Sequence, residues 1–528
     1  MRLRALLLLM LVSGGAAAWE PELVCHSGSP LLLEIRVEEP EAGLSSVVLE
    51  AEGSLHRFEL SGEGEPIELR VSPFLEAGTY ELDLRFLRGT EVVLRRSYEI
   101  GFVDFVFGRD NFRFGNNADY ESLIGTYSEI LTSWLTERFE EPGEAEIVLL
   151  TDYMYSLFGS NPGRCYAFSG TQLRYWRNGD LLPSYYDSAY DIPQRVRRQQ
   201  REMNYLQLDV VYDTFVAPAY GEGRGLPGGG PGREAGATGR EAGTAGREAG
   251  TTARDSSAAV EAVSSDAPRS RESLSREVDR VIHRISGGEP AAVGFIGPEL
   301  HHSMLVYGFI REREKASVDL LVANNWKSEE NLNLRSRDAE TVRVDLREEA
   351  EGGRLRWSDV NGPRERQPDR LFLVDIEEEY THAPGPMERL LRRRTAELRD
   401  AGHALVVVEN AQEAWLTDSE ERVTGYKQRR NREEIEGIRF DRVKRNYRFE
   451  YPEDSSLWLE FTDDQGARVL HFSGEEGSII GTSVPDDEKV QRRLLLAPDA
   501  RLPGTRSGEE DREGGPMDAL DRREETFR

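Results

Sequence analysis

Lysine and cysteine are both scarce in this chain. Of its 67 basic residues only Lys315, Lys327, Lys427, Lys444 and Lys489 are lysine, and 96 acidic residues leave a formal net charge of -29. So acidic a chain lacks the basic surface that nucleic acid or an anionic membrane would require. Two cysteines occur, Cys25 and Cys165. In an exported chain they could be joined, and closing so long a loop would stabilise by roughly 4 to 5 kcal/mol in the chain-entropy model. Alternatively one of them is free and chemically active. Cys25 is not a lipid-attachment cysteine, because Glu22, Leu23 and Val24 precede it where small residues are wanted. Beyond the first twelve residues no apolar run approaches membrane-spanning length. Also missing are a Gly-x-Ser-x-Gly elbow, a Gly-Lys phosphate loop and a His-Glu-x-x-His zinc pair. No metal or cofactor is therefore expected.

What is present is length and apolar content. The 528 residues exceed one ordinary domain, and 38% hydrophobic residues are enough for several cores. Residues 1–18 combine Arg2 and Arg4, an apolar stretch from Ala5 to Val12 and a small-residue end at Ala16-Ala17-Ala18, the pattern of a secretory signal peptide. The expected location is secreted, periplasmic or cell envelope, with no membrane contact beyond that peptide.

Residues 19–102 alternate apolar and polar positions in short runs such as Leu33/Ile35/Val37 and Tyr80/Leu82/Leu84/Phe86, which predicts a small antiparallel β-sandwich. From Tyr120 the period becomes helical through Leu135, Ile147–Leu150 reads as a buried strand, and a helix is expected to start at Cys165. Residues 219–273 repeat Gly-Arg-Glu-Ala-Gly within Gly, Ala, Ser and Thr, a composition too polar to bury a core, so they read as a disordered insertion. A helix through Leu274, Val278 and Ile285 ends at Gly287-Gly288, and strands follow at Ala291–Ile296, Met304–Phe309, Val318–Val322, Val342–Leu346 and Leu371–Ile376. Residues 381–500 read as a mixed or β-rich domain and 501–528 as a loose charged tail.

Three short segments carry the chemistry. In Gly163-Arg164-Cys165-Tyr166-Ala167-Phe168-Ser169 a cysteine opens a helix, where N-terminal amides favour a thiolate. In His302-Ser303-Met304-Leu305-Val306-Tyr307-Gly308 a histidine opens an apolar strand, from which an imidazole can act as base and then acid. In Leu320-Leu321-Val322-Ala323-Asn324-Asn325-Trp326 a carboxamide ends the next strand, where it can fix the ring tautomer, with an aromatic to shield the bond. A further histidine strand, Gly402-His403-Ala404-Leu405 with Asn410, has no cysteine partner and reads as an ordinary strand.

Taken in this order, the three segments resemble papain-type cysteine peptidases. In layout they are similar to the compact double-glycine leader peptidases of bacteria. Cys165 and His302 stand 137 positions apart, and 82 remain when the 55-residue insertion is set aside. The resemblance implies a central α+β papain-like domain over 103–380, a peptide or protein substrate and a thioester acyl-enzyme. It makes Cys165 the nucleophile, His302 the acid/base, Asn324 the orienting residue and Trp326 the shield. The sequence departs from the family at the glutamine about six residues before the cysteine, where Gly159 stands; Ser160, Asn161, Asn116 and Asn117 are the candidate replacements. The competing readings are a non-catalytic binding protein on the same scaffold and a β-rich adhesin with its cysteines linked.

Overall fold

The computed structural model describes residues 19–497 apart from 221–270, 326–339, 61–64, 116–125, 159–163, 298–299, 347–353, 360–361, 367–369, 483–489 and the single positions 29, 39, 140, 195, 444, 465 and 475. Residues 1–18, read above as a signal peptide, most of the expected insertion, the expected tail, and the candidates Trp326, Gly159, Ser160, Asn161, Asn116 and Asn117 thus lie outside the described residues. The chain is α+β, with several antiparallel sheets divided between two compact units. One holds Met1–Gly125, Glu129–Glu141 and Tyr153–Leu390; the other holds Thr126–Ser128, Pro142–Asp152 and Leu391–Arg528.

The first unit begins with β1 (Glu22–His26), β2 (Leu32–Val37), β3 (Ser46–Ala51), β4 (Ser54–Glu59), β5 (Ile67–Val71), β6 (Gly78–Arg88) and β7 (Glu91–Phe102); β2 to β7 fall on predicted apolar runs, and β1 is an additional strand. Leu82, Leu84 and Phe86 of β6 are buried while the residues between them are partly exposed, as a two-residue repeat requires. β1, β2 and β5 form a three-stranded sheet. The others join β8 (Ala291–Gly297), β9 (Leu300–Glu312), β10 (Ser317–Ala323), β11 (Thr341–Asp345), β12 (Arg354–Asp359), β13 (Gly362–Arg366) and β14 (Arg370–Leu373) in one large sheet.

Residue 102 is therefore not a boundary between compact units. β7 pairs with β9 from Tyr98↔Glu312 to Phe102↔Gly308. Gly101 allows it, since a β-carbon there would fall on the Phe309 ring. β9 changes partner along its length: its first half pairs with β8, its second with β7, and β10 lies along its other edge. Strand β9 consequently runs on past Gly308 to Glu312.

The longer helices are α1 (Tyr127–Arg138), α2 (Glu144–Phe158), α3 (Cys165–Arg177), α4 (Arg197–Val211, continued by a wider π turn over Tyr212–Val216), α5 (Arg271–Ser286) and α6 (Pro384–Ala401). Ile147–Leu150 is thus a helical segment and not the predicted strand. A short apolar run cannot separate a buried strand from a buried helix, and here Glu146 closes the turn by accepting from the Gly143 N–H at 2.9 Å. Residues 197–211 carry no motif in the sequence; α4 buries Met203, Leu206, Leu208 and Val210 together with Gln199, Gln200, Asn204 and Gln207, the last four at most 3% exposed.

The second unit contains two five-stranded antiparallel sheets. One is ordered β19 (Arg439–Val443), β20 (Asn446–Pro452), β15 (His403–Glu409), β22 (Arg468–Ser473) and β23 (Glu476–Gly481). The other is ordered β18 (Arg430–Glu433), β17 (Val423–Lys427), β16 (Glu413–Thr417), β21 (Leu457–Asp463) and β24 (Val490–Leu496). Val406, Val408, Leu416, Phe449, Leu459, Phe461 and Val469 fill their common core. His403 begins β15 with Nδ1 3.1 Å from Glu450 Oε1, a structural pairing in keeping with its reading as an ordinary strand residue.

Candidate functional site

Helix α3 begins at Cys165, and ten of its thirteen residues are buried. A helix enclosed on nearly all sides must have its end groups satisfied from within the protein. Arg164, at the N-cap, supplies no side-chain cap. The Gln207 Oε1 of α4 does so instead, accepting from the Ala167 N–H at 3.0 Å. Arg164 is 1% exposed and is held by Gln200 Oε1, with its guanidinium 5.7 Å from the Phe168 ring.

The Cys165 side chain meets two opposing influences. Burial disfavours the thiolate, while the backbone N–H groups of Ser303, Tyr166 and Cys165 itself point at the sulfur and favour it. Burial prevails and pushes the thiol up to about 12. Cys165 therefore rests as a neutral thiol, 2% exposed, rather than as the standing thiolate that a helix start alone would predict. Cys25 is also a free, buried thiol, so the two cysteines are not joined and the linked-adhesin reading fails.

His302 lies on β9 one residue before Ser303 and is fully buried. Alternation puts His302, Met304 and Val306 on one face of β9, and Val306 stands opposite Val322 of β10. Asn324, two residues beyond Val322, returns to that face, and its Oδ1 lies 3.1 Å from His302 Nε2. The Asn324 Nδ2 donates to Glu340 Oε1 at 2.9 Å. Glu340 is 1% exposed and its backbone carbonyl accepts from the Val322 N–H at 3.0 Å, beside the bulge in β10.

This chain of bonds fixes the ring. Glu340 Oε1 accepts from the NH2 end of Asn324, which turns Oδ1 toward the imidazole. Nε2 of His302 must then carry the proton, which leaves Nδ1 as the basic nitrogen of the neutral ring.

Asn325 ties the nucleophile's helix to the histidine strand. Its Nδ2 reaches the carbonyls of Cys165 at 3.1 Å and Ser303 at 3.0 Å, and Ser169 Oγ at 3.2 Å. His302 and Asn324 are therefore joined directly, and Cys165 meets the same strand through the Ser303 N–H and Asn325. Glu340, Asn325 and Gln207 had no part in the sequence reading. The doubled Asn324-Asn325 was the signal available for one of them; Glu340, sixteen residues beyond Asn324, and Gln207 carry no motif.

A second buried charged cluster lies on α4. His382 Nε2 stands 2.9 Å from Asp209 Oδ1 and its Nδ1 3.1 Å from Asp213 Oδ1. Asp209 also accepts from Trp134 Nε1 at 2.7 Å and Arg138 Nε at 3.1 Å. Among the described residues no group of three or more His, Cys, Asp or Glu side chains could hold a metal ion, and no helix is long and apolar enough to cross a membrane. Neither the protein-family models nor the curated proteins contain a match to this chain.

Proposed function

We propose that the chain is an exported cysteine hydrolase, with a papain-like site formed by Cys165, His302 and Asn324 that acts on peptide or amide bonds. The observation that carries the reading is the buried series His302, Asn324 and Glu340, set against a helix whose first residue is a cysteine. It supports one tautomer for the ring, in which Nδ1 would take the thiol proton on attack. Sγ then adds to the substrate carbonyl, the amine leaves with the proton held by His302, and water hydrolyses the thioester. Asn324 would hold the ring and stabilise the imidazolium, as a buried acceptor behind a catalytic histidine does. In this reading the strands of residues 19–102 are part of the unit that carries the site, and 381–500 form an accessory mixed or β-rich domain.

The burial of Cys165 favours a second reading, a binding protein that retains the scaffold without the activity. Labelling of the purified protein with iodoacetamide near neutral pH separates the two, comparing wild type with Cys165→Ala, His302→Ala and Cys25→Ala. Labelling abolished by Cys165→Ala, slowed at least tenfold by His302→Ala and unaffected by Cys25→Ala supports the hydrolase. A rate indifferent to His302 supports the binding protein. The intact mass of the exported protein tests the leader, with a mature chain expected to start at Trp19.

A further inference from the structure

Gln207 reaches from α4 to the helix that begins at Cys165. Its Oε1 is committed to the Ala167 N–H, which puts the carboxamide at the N-terminal end of α3, the end that carries Cys165. With the oxygen so committed, the orientation of the amide is settled and Nε2 is the free end. That NH2 is buried, in a residue 2% exposed, and has no acceptor among the described residues. A buried amide donor without an acceptor is uncommon in folded proteins and calls for an explanation. Capping accounts for the oxygen and leaves the nitrogen unexplained. A helix end bearing directed N–H groups and one spare amide donor is suited to an anion forming there.

We propose that Gln207 Nε2 donates a hydrogen bond to the oxygen of a substrate carbonyl under attack by Cys165, in company with the backbone N–H groups at the start of α3. It would fill the role left open at Gly159 from a different helix, on the far side of the nucleophile in sequence. The inference rests on the reading of Cys165 as nucleophile. In the step concerned, the Sγ–C bond forms, the carbonyl π pair moves onto oxygen as an oxyanion, and His302 holds the proton from sulfur. When the tetrahedral species collapses, the C–N bond breaks and the amine takes that proton. Gln207 gains its acceptor only while oxygen bears the charge, which is the condition for a donor to accelerate the reaction.

The test uses two reagents on full-length protein carrying Cys25→Ala. Iodoacetamide alkylates sulfur by displacement and forms no oxyanion, whereas N-acetylglycinal adds through its carbonyl and forms one. The ratio of the two rates cancels differences in thiolate population between variants. Gln207→Glu keeps an oxygen for the Ala167 N–H and removes the donor; Gln207→Met removes both. The expected result is a fall in the aldehyde-to-iodoacetamide ratio of about 100-fold in both variants, the lower end of what losing one such donor costs. An unchanged ratio in both, with the iodoacetamide rate also unchanged or lowered equally, would make Gln207 a cap only and overturn the proposal. If Gln207→Met fails to fold, the Gln207→Glu ratio alone decides in the same sense. Wild-type protein that reacts with neither reagent would instead overturn the reading of Cys165, and this inference with it.

Discussion

Replacing Asn324 by alanine isolates what the buried series contributes to His302. In the resting protein Asn324 Oδ1 accepts from Nε2 at 3.1 Å, an exchange between neutral groups. Once the ring takes the thiol proton, the same bond is made to an imidazolium, and bonds to charged groups are worth about 1.5–3 kcal/mol against about 1 for neutral ones. That difference assists formation of the thiolate–imidazolium pair. Loss of the bond also frees the ring to adopt the tautomer with Nδ1 protonated, which cannot accept from sulfur. The difference of about 0.5–2 kcal/mol, at roughly 1.4 kcal/mol per factor of ten, means that Asn324→Ala is expected to slow alkylation of Cys165 about 2- to 30-fold. Stability falls separately, because Glu340 loses the Nδ2 donor while remaining buried, at about 1–3 kcal/mol.

The assay is the iodoacetamide rate from pH 5 to 9, with circular dichroism establishing that the variant is folded. A folded Asn324→Ala protein that alkylates at the wild-type rate across the range would refute the argument and reduce His302 to a packed core residue. Glu340→Gln sharpens the comparison. A glutamine can donate or accept, so it tolerates either orientation of Asn324 and should cost only about two- to threefold. Equal losses in the two variants would mean that the carboxylate charge, rather than the orientation of the amide, governs the ring.

The remaining predictions concern stability. Both ring nitrogens of His382 face carboxylates and must both donate, so although burial opposes the charge, the bonds to Asp209 and Asp213 raise its pKa above the ordinary 6.5. Stability from this group is complete below that value and is lost as pH rises through the raised one. For Asp209, burial acts upward but His382, Arg138 and Trp134 hold the carboxyl below the ordinary 3.8, so its contribution is lost as pH falls through the lowered value. Between these limits lies a plateau. His382→Gln should flatten the alkaline fall in Tm measured from pH 6 to 9, and a wild-type Tm no more pH-dependent than the variant's would contradict this. In the second unit Gly425 has φ +137° and stands opposite Trp415, and a β-carbon there would lie 2.6 Å from the Ala414 carbonyl oxygen. Gly425→Ala should therefore cost at least about 2 kcal/mol by urea unfolding, and a loss under about 0.5 would show that the β16–β17 pair can shift.

The features legible in the sequence were those set by local pattern. The alternation of Leu82, Leu84 and Phe86 gives β6, and the apolar runs after His302 and before Asn324 give the two neighbouring strands, while their register, Val306 against Val322, is seen only in the structure. What escaped depends on partners distant in sequence. The pairing of β7 with β9 brings Tyr98 against Glu312, and nothing near residue 98 announces it. Helix α4 buries the carboxamides Gln199, Gln200, Asn204 and Gln207 alongside Met203, Leu206 and Val210, and the partners those amides need lie far away in sequence. Glu340 acts through Asn324, and a lone acidic residue in a chain with 96 of them is invisible.

Cys165 shows why a motif's chemistry does not follow from its position alone. The charge interaction at a helix N-terminus is worth about 0.3–1 kcal/mol, rising to about 2 where partly buried, or at most about 1.5 pH units. Full burial can shift a group by about 3–5 units the other way. The larger effect wins, and the thiol stays protonated even with three N–H groups directed at it. Under the proposed function, reactivity at neutral pH then depends on a base that takes the proton at the moment of attack, the part assigned to His302. For the same reason, the donors gathered at the start of α3 are better matched to an oxyanion that exists only during reaction than to a thiolate held at rest.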